Sequence, residues 1–198
     1  MLSGIGERQH LRQIGIKTLV DLPGVGRNLQ DRYEIGVTSR MKKPWNALRG
    51  VTYETNDPPY RLWQRWGLGP YASNGLMFSV AFPSHWGRGQ ADLYCFALLA
   101  DFHGYFPHYS EEIKKRNFLT WAILKAYTQN NVGFLRLKSK NPLERPDIQF
   151  RYFDEGVAGD EDLDAMVEGV RFVRNVRTLS MDAPTSPRIS PLAASGRA

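Results

Sequence analysis

The chain has 198 residues, of which 42% are hydrophobic and 23% charged, and its net charge is +6 at pH 7. These values are ordinary for a globular protein, and the length suits one domain or slightly more, with enough apolar residues for a core. The basic residues are scattered and accompany no nucleic-acid-binding motif, so we expect a solvated basic surface and no nucleic-acid partner.

The cysteine count and the apolar runs exclude several further classes of protein. Cys95 is the only cysteine, which excludes a disulfide framework and a cysteine metal site. It lies in the apolar run 93–99, where burial raises a thiol pKa, so we expect a core residue and not a nucleophile. No apolar run approaches the ~20 residues of a membrane span. No secretory signal is visible, which favours a cytoplasmic location if the native N-terminus is present.

The N-terminal half predicts two short helices and three strands. Residues 7–15 place Leu11 and Ile14 on one helical face, with Gly15 at the expected C-cap. Residues 33–40 alternate and predict a strand, and residues 60–66 predict a helix that the glycines at 67 and 69 terminate. The runs 76–82 and 91–102 predict two more strands, the second a central one because both of its faces are apolar.

The C-terminal half predicts a helix, a hairpin, a long helix and a tail. Residues 111–128 predict a helix, although their apolar pattern is mixed. Residues 132–139 and 148–153 predict strands joined as a hairpin. Residues 160–179 have apolar positions at helical spacing, acidic residues at the start and arginines at the end, as a helix dipole favours. Residues 180–198 are rich in Ser, Pro and Ala and predict a disordered tail.

Together these elements predict an α+β fold, an antiparallel β-sheet of five or six strands with packed helices. No strand–helix–strand alternation opens the chain, so a parallel nucleotide-binding sheet is not expected. Gly24-Val25-Gly26 is not a dinucleotide fingerprint, because Leu29 stands where a third glycine is needed. It predicts a tight turn whose backbone closely approaches either a ligand or another part of the chain.

The histidines and aromatic residues are the remaining candidates for chemistry. His103 and His108 share one loop, but only Asp101 is nearby in sequence, so no metal site is predicted. A loop histidine that lines a pocket is the better interpretation. The aromatic residues between Trp63 and Phe106 are either ordinary core or the wall of a substrate cavity.

Two ordered motifs resemble one flavoenzyme family. The N-terminal motif is Ser3-Gly4-Ile5-Gly6, followed by a short helix and by Asp-Leu-Pro-Gly-Val-Gly-Arg-Asn-Leu-Gln-Asp at 21–31. The second motif begins Gly-Phe-Leu-Arg-Leu at 133–137 and continues as Pro-Asp-Ile-Gln-Phe at 146–150, with a helix containing Gly169 after it. Both are similar to segments of the glucose–methanol–choline (GMC) oxidoreductases, and the resemblance covers roughly residues 1–179.

The resemblance implies FAD as cofactor and oxidation of CH–OH groups of alcohols, with hydride transfer to flavin N5. Choline, aryl alcohols, sugars and aliphatic alcohols are all substrates within the family. Ser3, Gly4, Ile5, Gly6 and Asn28 are then the candidate cofactor-binding residues. No catalytic residue can be assigned, because the family's histidine-containing C-terminal region has no counterpart in 180–198 and Arg32 stands where the family usually has histidine.

The resemblance also implies a domain organisation. Residues 1–32 are expected to be the remnant of a junction with an FAD domain, 33–179 a substrate-type domain, and 180–198 the tail. The FAD fingerprint of the family precedes the Ser3–Gly6 motif, so we expect a fragment that is inactive alone, with self-association through an exposed apolar face. The alternative is a non-enzymatic truncated product or a binding module that retains the sheet.

Overall fold

A computed structural model describes residues 1–85, 89–153, 156–178 and 188–191. The chain divides into two compact units. The first unit consists of Met1–Arg32 and Tyr127–Leu163, and the second consists of Tyr33–Ala126 and Asp164–Ala198.

The described residues form both helices and strands, as an α+β fold requires. The helices are α1 (Arg8–Gln13), α2 (Pro58–Trp66), α3 (Tyr109–Glu112) and α4 (Gly156–Thr178), with short 3-10 helices at Asn46–Leu48 and Pro70–Ala72. The strands are β1 (Ile5–Gly6), β2 (Val20–Asp21), β3 (Arg27–Leu29), β4 (Glu34–Arg40), β5 (Leu76–Phe82), β6 (Leu93–Leu98), β7 (Phe118–Lys125), β8 (Gly133–Arg136), β9 (Asp147–Gln149) and β10 (Arg188–Pro191).

The second unit contains an antiparallel sheet with the strand order β10-β4-β7-β6-β5. Its centre is buried: Ile123 of β7 lies between Ile35 of β4 and Cys95 of β6, and both Ile123 and Cys95 are fully shielded from solvent. The predicted antiparallel fold is therefore confirmed, as is the central position of the strand that contains Cys95. Burial raises the pKa of Cys95 to about 12, which agrees with a core role.

Strand β7 replaces the helix that the sequence predicts over 111–128. Only Tyr109–Glu112 are helical there, and Phe118–Lys125 pair with strands on both sides. Aromatic and β-branched residues such as Phe118, Thr120 and Ile123 pack well on a pleated surface. The helix prediction was wrong because pairing with two neighbouring strands, which no local window can detect, outweighs the weak helical periodicity.

Strand β10 corrects part of the predicted tail. Arg188–Pro191 form an edge strand antiparallel to β4, in which Ile189 lies opposite Val37. Residues 188–191 are thus ordered, because the exposed edge of β4 offers backbone hydrogen-bonding groups to a short extended segment. The other residues of the predicted tail, 180–187 and 192–198, lie outside the described part of the chain.

Helix α4 packs closely on the sheet within the second unit. A Cβ atom at Gly169 would lie 2.5 Å from Cγ2 of Ile123, a distance too short for any side chain. Phe172 follows, with its ring centroid 4.4 Å from that of Phe82 and 6.5 Å from that of Trp121. The absence of a side chain at Gly169 therefore lets the helix approach β7.

The first unit contains a three-stranded antiparallel sheet, β3-β8-β9, and a separate parallel pair, β1-β2. A short strand–helix–strand unit, β1-α1-β2, therefore opens the chain, contrary to the prediction, although each of its strands has only two residues. Leu135 of β8 lies opposite Ile148 of β9, which confirms the predicted hairpin. No helix within the described residues has the length and apolar character that crossing a membrane requires.

An ion pair between buried Lys125 and half-buried Asp92 links β7 to the loop before β6 in the second unit. The ammonium of Lys125 donates to Oδ2 of Asp92 at 2.7 Å, and both the backbone and the hydroxyl of Ser84 donate to the same carboxylate. Burial alone would raise the pKa of Asp92, but these hydrogen bonds outweigh it and lower the pKa to about 2.

We expect acid to weaken this unit through Asp92. A carboxyl whose pKa is depressed on folding stabilises the protein above its unfolded pKa of about 4, and this contribution of about 2 kcal/mol disappears as the pH falls towards 2. Urea unfolding between pH 6 and about 2 measures it. The native chain should lose more stability over this range than Asp92→Asn, which carries no titrating group, and parallel curves would contradict the assignment.

Candidate functional site

The predicted cofactor segment Ser3–Gly6 lies at the start of the first unit. Its strand β1 runs parallel to β2, and the carbonyl of Gly4 accepts from the amides of Leu19 and Val20 at 2.7 and 3.1 Å. Gly4 has φ of +80°, and a Cβ there would lie 2.6 Å from the carbonyl oxygen of Lys17. Glycine is therefore required at this position by packing against the chain itself.

The turn at Gly24–Gly26 approaches strand β8. The amide of Leu135 donates to the carbonyl of Gly26 at 2.8 Å, and a Cβ at Gly26 would lie 2.3 Å from the carbonyl oxygen of Leu135. Gly26 is therefore explained by the close approach of this turn to strand β8.

The two predicted cofactor segments lie near each other in the first unit. Glu7, directly after β1, forms an ion pair with Arg27 of β3, with Oε1 and Nη2 at 3.1 Å. Asn28 follows Arg27 and adopts the left-handed conformation, with φ of +55°. The ion pair thus links residues adjacent to the two segments, and Asn28 lines a cleft.

This cleft, hereafter the arginine cleft, has a volume of about 590 Å³. Its polar and aromatic lining residues are Arg27, Asn28, Asn131, Phe134, Arg136 and Arg151. Every charged side chain among these lining residues is an arginine. The cleft therefore presents guanidinium groups and amide groups, which are donors suited to an anionic ligand.

Phe134 forms a shared support for two of the arginines. The guanidinium carbon of Arg136 lies 5.7 Å from the centroid of the Phe134 ring, and that of Arg151 lies 5.3 Å from it. A cation over an aromatic face is attracted by the ring quadrupole. The ring thus attracts both guanidinium groups.

The backbone that carries Arg151 is held by the buried side chain of Asn130. Its amide nitrogen donates to the carbonyls of Phe150, Arg151 and Tyr152 at 3.3, 2.5 and 2.7 Å. Its oxygen accepts from the amide of Val132 at 3.0 Å. Arg151 itself has φ of +50°, so Asn130 maintains an unfavourable backbone conformation.

The same loop is tied to α4 and to the residue after β3. The Oδ2 atom of buried Asp162 accepts from the amides of Gln129 and Asn130 at 2.8 and 3.3 Å. The side chain of Gln30 donates to the carbonyl of Asn130 at 2.9 Å. One buried residue therefore connects several segments that surround the cleft.

We expect Asn130→Ala to destabilise the chain by about 3 kcal/mol, because it leaves buried backbone groups without hydrogen bonds. Urea unfolding measures the change. The matched control is Asn131→Ala, an exposed neighbour, for which we expect a change within about 0.5 kcal/mol. Equal effects of the two substitutions would contradict this role of Asn130.

A second cleft, of about 340 Å³, lies in the second unit and includes Asp101 and His103. Nδ1 of His103 is 3.3 Å from Oδ1 of Asp101, and ligand atoms of Asp101, His103 and Glu112 lie within 4.8 Å of one another. The ammonium of Lys115 lies 4.0 Å from Asp101 and forms a hydrogen bond with Glu112. A cation of the chain itself thus already partly neutralises the two carboxylates.

The other histidines are dispersed through the described residues. His10 lies in α1, His85 contacts the hydroxyl of Ser84 at 3.1 Å, and His108 precedes α3. The aromatic residues that the structure describes between Trp63 and Phe106 line neither of the two clefts described above. Some pack internally, such as Phe78 with Trp121 at 4.9 Å between ring centroids, and others are exposed.

The structure places Asn28, a predicted cofactor residue, in one cleft with three arginines that the sequence did not single out as site residues. Arg136 and Arg151 belong to the strand β8 and to the chain after β9, and basic residues on strands are usually ordinary surface residues. The hairpin motif could have indicated that these arginines share a region, because it pairs the strand of Arg136 with the strand that precedes Arg151.

Comparison with known proteins identifies relatives over nearly the whole chain. The chain is 30% identical over 202 residues to the oxygen-dependent choline dehydrogenases of Staphylococcus aureus strains JH9 and Newman. The alignment covers 96% of this chain but only 32% of theirs, so the chain spans about a third of the length of these relatives. No protein-family model matches the chain.

Solved structures share the fold. A formate oxidase superposes with a TM-score of 0.68 at 21% identity, over 94% of this chain and 36% of that protein. Pyridoxine 4-oxidase from Mesorbium loti superposes with a TM-score of 0.60 at 17% identity, over 98% and 32%. At these identities the structural matches establish the architecture, the α+β fold with its antiparallel sheet.

Proposed function

Because this chain belongs to the glucose–methanol–choline (GMC) oxidoreductase family, we propose that it is part of an FAD-dependent enzyme that oxidises CH–OH groups of alcohols. The observation that carries the proposal is the alignment of 96% of the chain with an oxygen-dependent choline dehydrogenase. The fold shared with a formate oxidase and pyridoxine 4-oxidase supports it. FAD, when bound, supplies the acceptor for the hydride that an alcohol loses.

Within such an enzyme, this chain would contribute the junction to the FAD domain at 1–32 and the substrate domain at 33–179. We propose that Ser3–Gly6 and Asn28 lie close to the cofactor. The contact between Glu7 and Arg27, which brings these two segments together, supports the proposal. So does the exposed amide of Asn28 in a cleft of cationic donors, since FAD carries a pyrophosphate group.

We infer that the chain does not oxidise alcohols alone. Its 198 residues contain no Gly-x-Gly-x-x-Gly sequence, with which the backbone of a Rossmann fold approaches a pyrophosphate. A proton acceptor for the alcohol must lie within hydrogen-bonding distance of it. The described histidines are dispersed, and none of them lines the arginine cleft.

A chimera tests the proposed function. This chain replaces the matching third of the Staphylococcus aureus choline dehydrogenase, while the parent enzyme supplies the remaining two thirds. We expect the purified chimera to retain FAD and to bleach its flavin absorbance when an alcohol is added. The chain alone, mixed with free FAD and the same alcohols, should show no bleaching.

The parent enzyme, purified alongside, is the control for flavin content. A chimera that folds, as judged by circular dichroism, but contains no flavin would contradict a role in this enzyme class. Alcohol-dependent bleaching by the isolated chain would instead contradict the inference that it is inactive alone.

We further propose that the isolated chain self-associates through exposed apolar side chains of the second unit. Trp66 is 64% exposed and Tyr105 is 76% exposed, and exposed apolar side chains favour association when they form a patch. Sedimentation velocity should show a sedimentation coefficient that rises with concentration, and less so in Trp66→Ser and Tyr105→Ser. Leu143→Ser, an exposed apolar residue of the first unit, is the control. A monomer at every concentration would refute the proposal.

A further inference from the structure

We propose that the apolar face of helix α2 docks on the surface of an anionic lipid bilayer, with the helix lying along that surface. Three observations on the second unit carry the inference: the exposure of this face, the basic residues that border it, and the hydrogen bonds that fix both ends of the helix. The inference does not rest on the proposed flavoenzyme function, because it involves neither a cofactor nor a substrate.

Helix α2 exposes its large apolar side chains. Leu62, Trp63 and Trp66 are 42%, 40% and 64% exposed, and Leu68, just after the helix, is 59% exposed. Residues three or four apart are neighbours on a helix surface, so Trp66 lies beside both Leu62 and Trp63. The amphipathic helices of globular proteins normally turn such a stripe towards the core. On α2 the stripe remains accessible to a partner.

The basic residues of α2 form a second stripe beside the apolar one. Arg61 and Arg65 are four residues apart and exposed, and the helix contains no acidic residue. Neither arginine pairs with a carboxylate of the described residues. The guanidinium carbon of Arg65 lies 5.2 Å from the centroid of the Trp66 ring, so the two stripes are adjacent. Arginine beside tryptophan and leucine is typical of helices that lie in a membrane interface.

The two carboxylates that precede the helix are engaged elsewhere. Asp57 is buried and accepts from the amide of Tyr60 at 2.7 Å and from the hydroxyl of Tyr71 at 2.6 Å. Glu54 is exposed and lies 4.0 Å from the ammonium of Lys114. The outward side of α2 itself therefore presents cations and apolar groups.

Hydrogen bonds and ring contacts fix α2 before any docking. The carboxylate of Asp57 caps its N-terminus, and Gly67, with φ of +66°, ends it by donating to the carbonyl of Trp63 at 2.7 Å. The ring of Tyr60 packs against those of Trp63 and Tyr71, with centroids 5.4 and 5.5 Å away. A helix that is already formed loses little conformational entropy when it binds.

The charge pattern favours a lipid surface over a second copy of the chain. Contact between copies through apolar side chains leaves Arg61 and Arg65 without opposite charges, whereas an anionic bilayer supplies them. The apolar side chains would enter the boundary between headgroups and acyl chains, and the arginines would reach the lipid phosphates. With nine residues, α2 is too short to cross the bilayer and lies on it.

The experiment is flotation of the full chain with vesicles of phosphatidylglycerol and phosphatidylcholine in equal amounts, at low ionic strength. Vesicles of phosphatidylcholine alone are run in parallel. We expect the chain to float with the anionic vesicles and far less with the neutral ones. Trp66→Ser should lower the partition coefficient about tenfold, because a large apolar side chain is lost from the interface. Arg65→Gln should lower it about fivefold, because one cation near the surface is lost.

Two substitutions in the same unit are the controls. Arg174→Gln removes the same charge from an exposed position of α4, and Met77→Ser removes an exposed apolar side chain of β5. Both should partition as the unaltered chain does. Circular dichroism melting of each variant shows whether it is folded, and because Arg65 is exposed, Arg65→Gln remains informative if Trp66→Ser unfolds.

Several results would overturn the proposal. They are no flotation with anionic vesicles, equal flotation with neutral vesicles, and an equal loss in Arg174→Gln. The second would mean apolar adhesion without charge selection, and the third diffuse attraction by the net charge of +6. If the chain binds neither kind of vesicle but Trp66→Ser reduces its self-association, the face binds a second copy of the chain instead.

Discussion

The first unit depends on one buried amide, the side chain of Asn130. Its nitrogen donates to three consecutive carbonyls after β9, its oxygen accepts from the segment that leads into β8, and its backbone is held by Asp162 of α4. A buried amide can replace water for several backbone groups at once, whereas an apolar side chain cannot. This is why the chain after β9 can keep Arg151 in a left-handed conformation and direct it to the arginine cleft.

In the second unit, strand β7 has the structural role that Asn130 has in the first unit. It pairs with β4 on one side and β6 on the other, and Thr120 binds the carbonyl of Ala100 at 2.7 Å and the hydroxyl of Thr38 at 3.0 Å. These bonds satisfy polar groups that the sheet would otherwise bury unpaired. The approach of α4 at Gly169 adds a helix to the same sheet.

The glycines of the N-terminal motif could be recognised in the sequence, whereas the shared location of the cleft arginines could not. Gly4 and Gly26 are recognisable in the sequence, and the structure explains both by backbone contacts within the chain. Asn28 was predicted from the resemblance alone. The arginines around it were not predicted, because their shared location arises from the pairing of β3, β8 and β9. The resemblance thus pointed to Asn28, whereas the arginines that share its cleft became visible only after folding.

The sequence by itself determined the antiparallel α+β fold, the hairpin and most of helix α4, because these depend on local motifs and on periodicity within one segment. Tertiary structure alone decided that 118–125 form a central strand, that Arg188–Pro191 extend the sheet, and that three arginines share a cleft. Each of these depends on hydrogen bonds or charges contributed by residues distant in sequence. Such contacts can outweigh the conformational propensity of a segment, and the sequence of that segment alone does not reveal them.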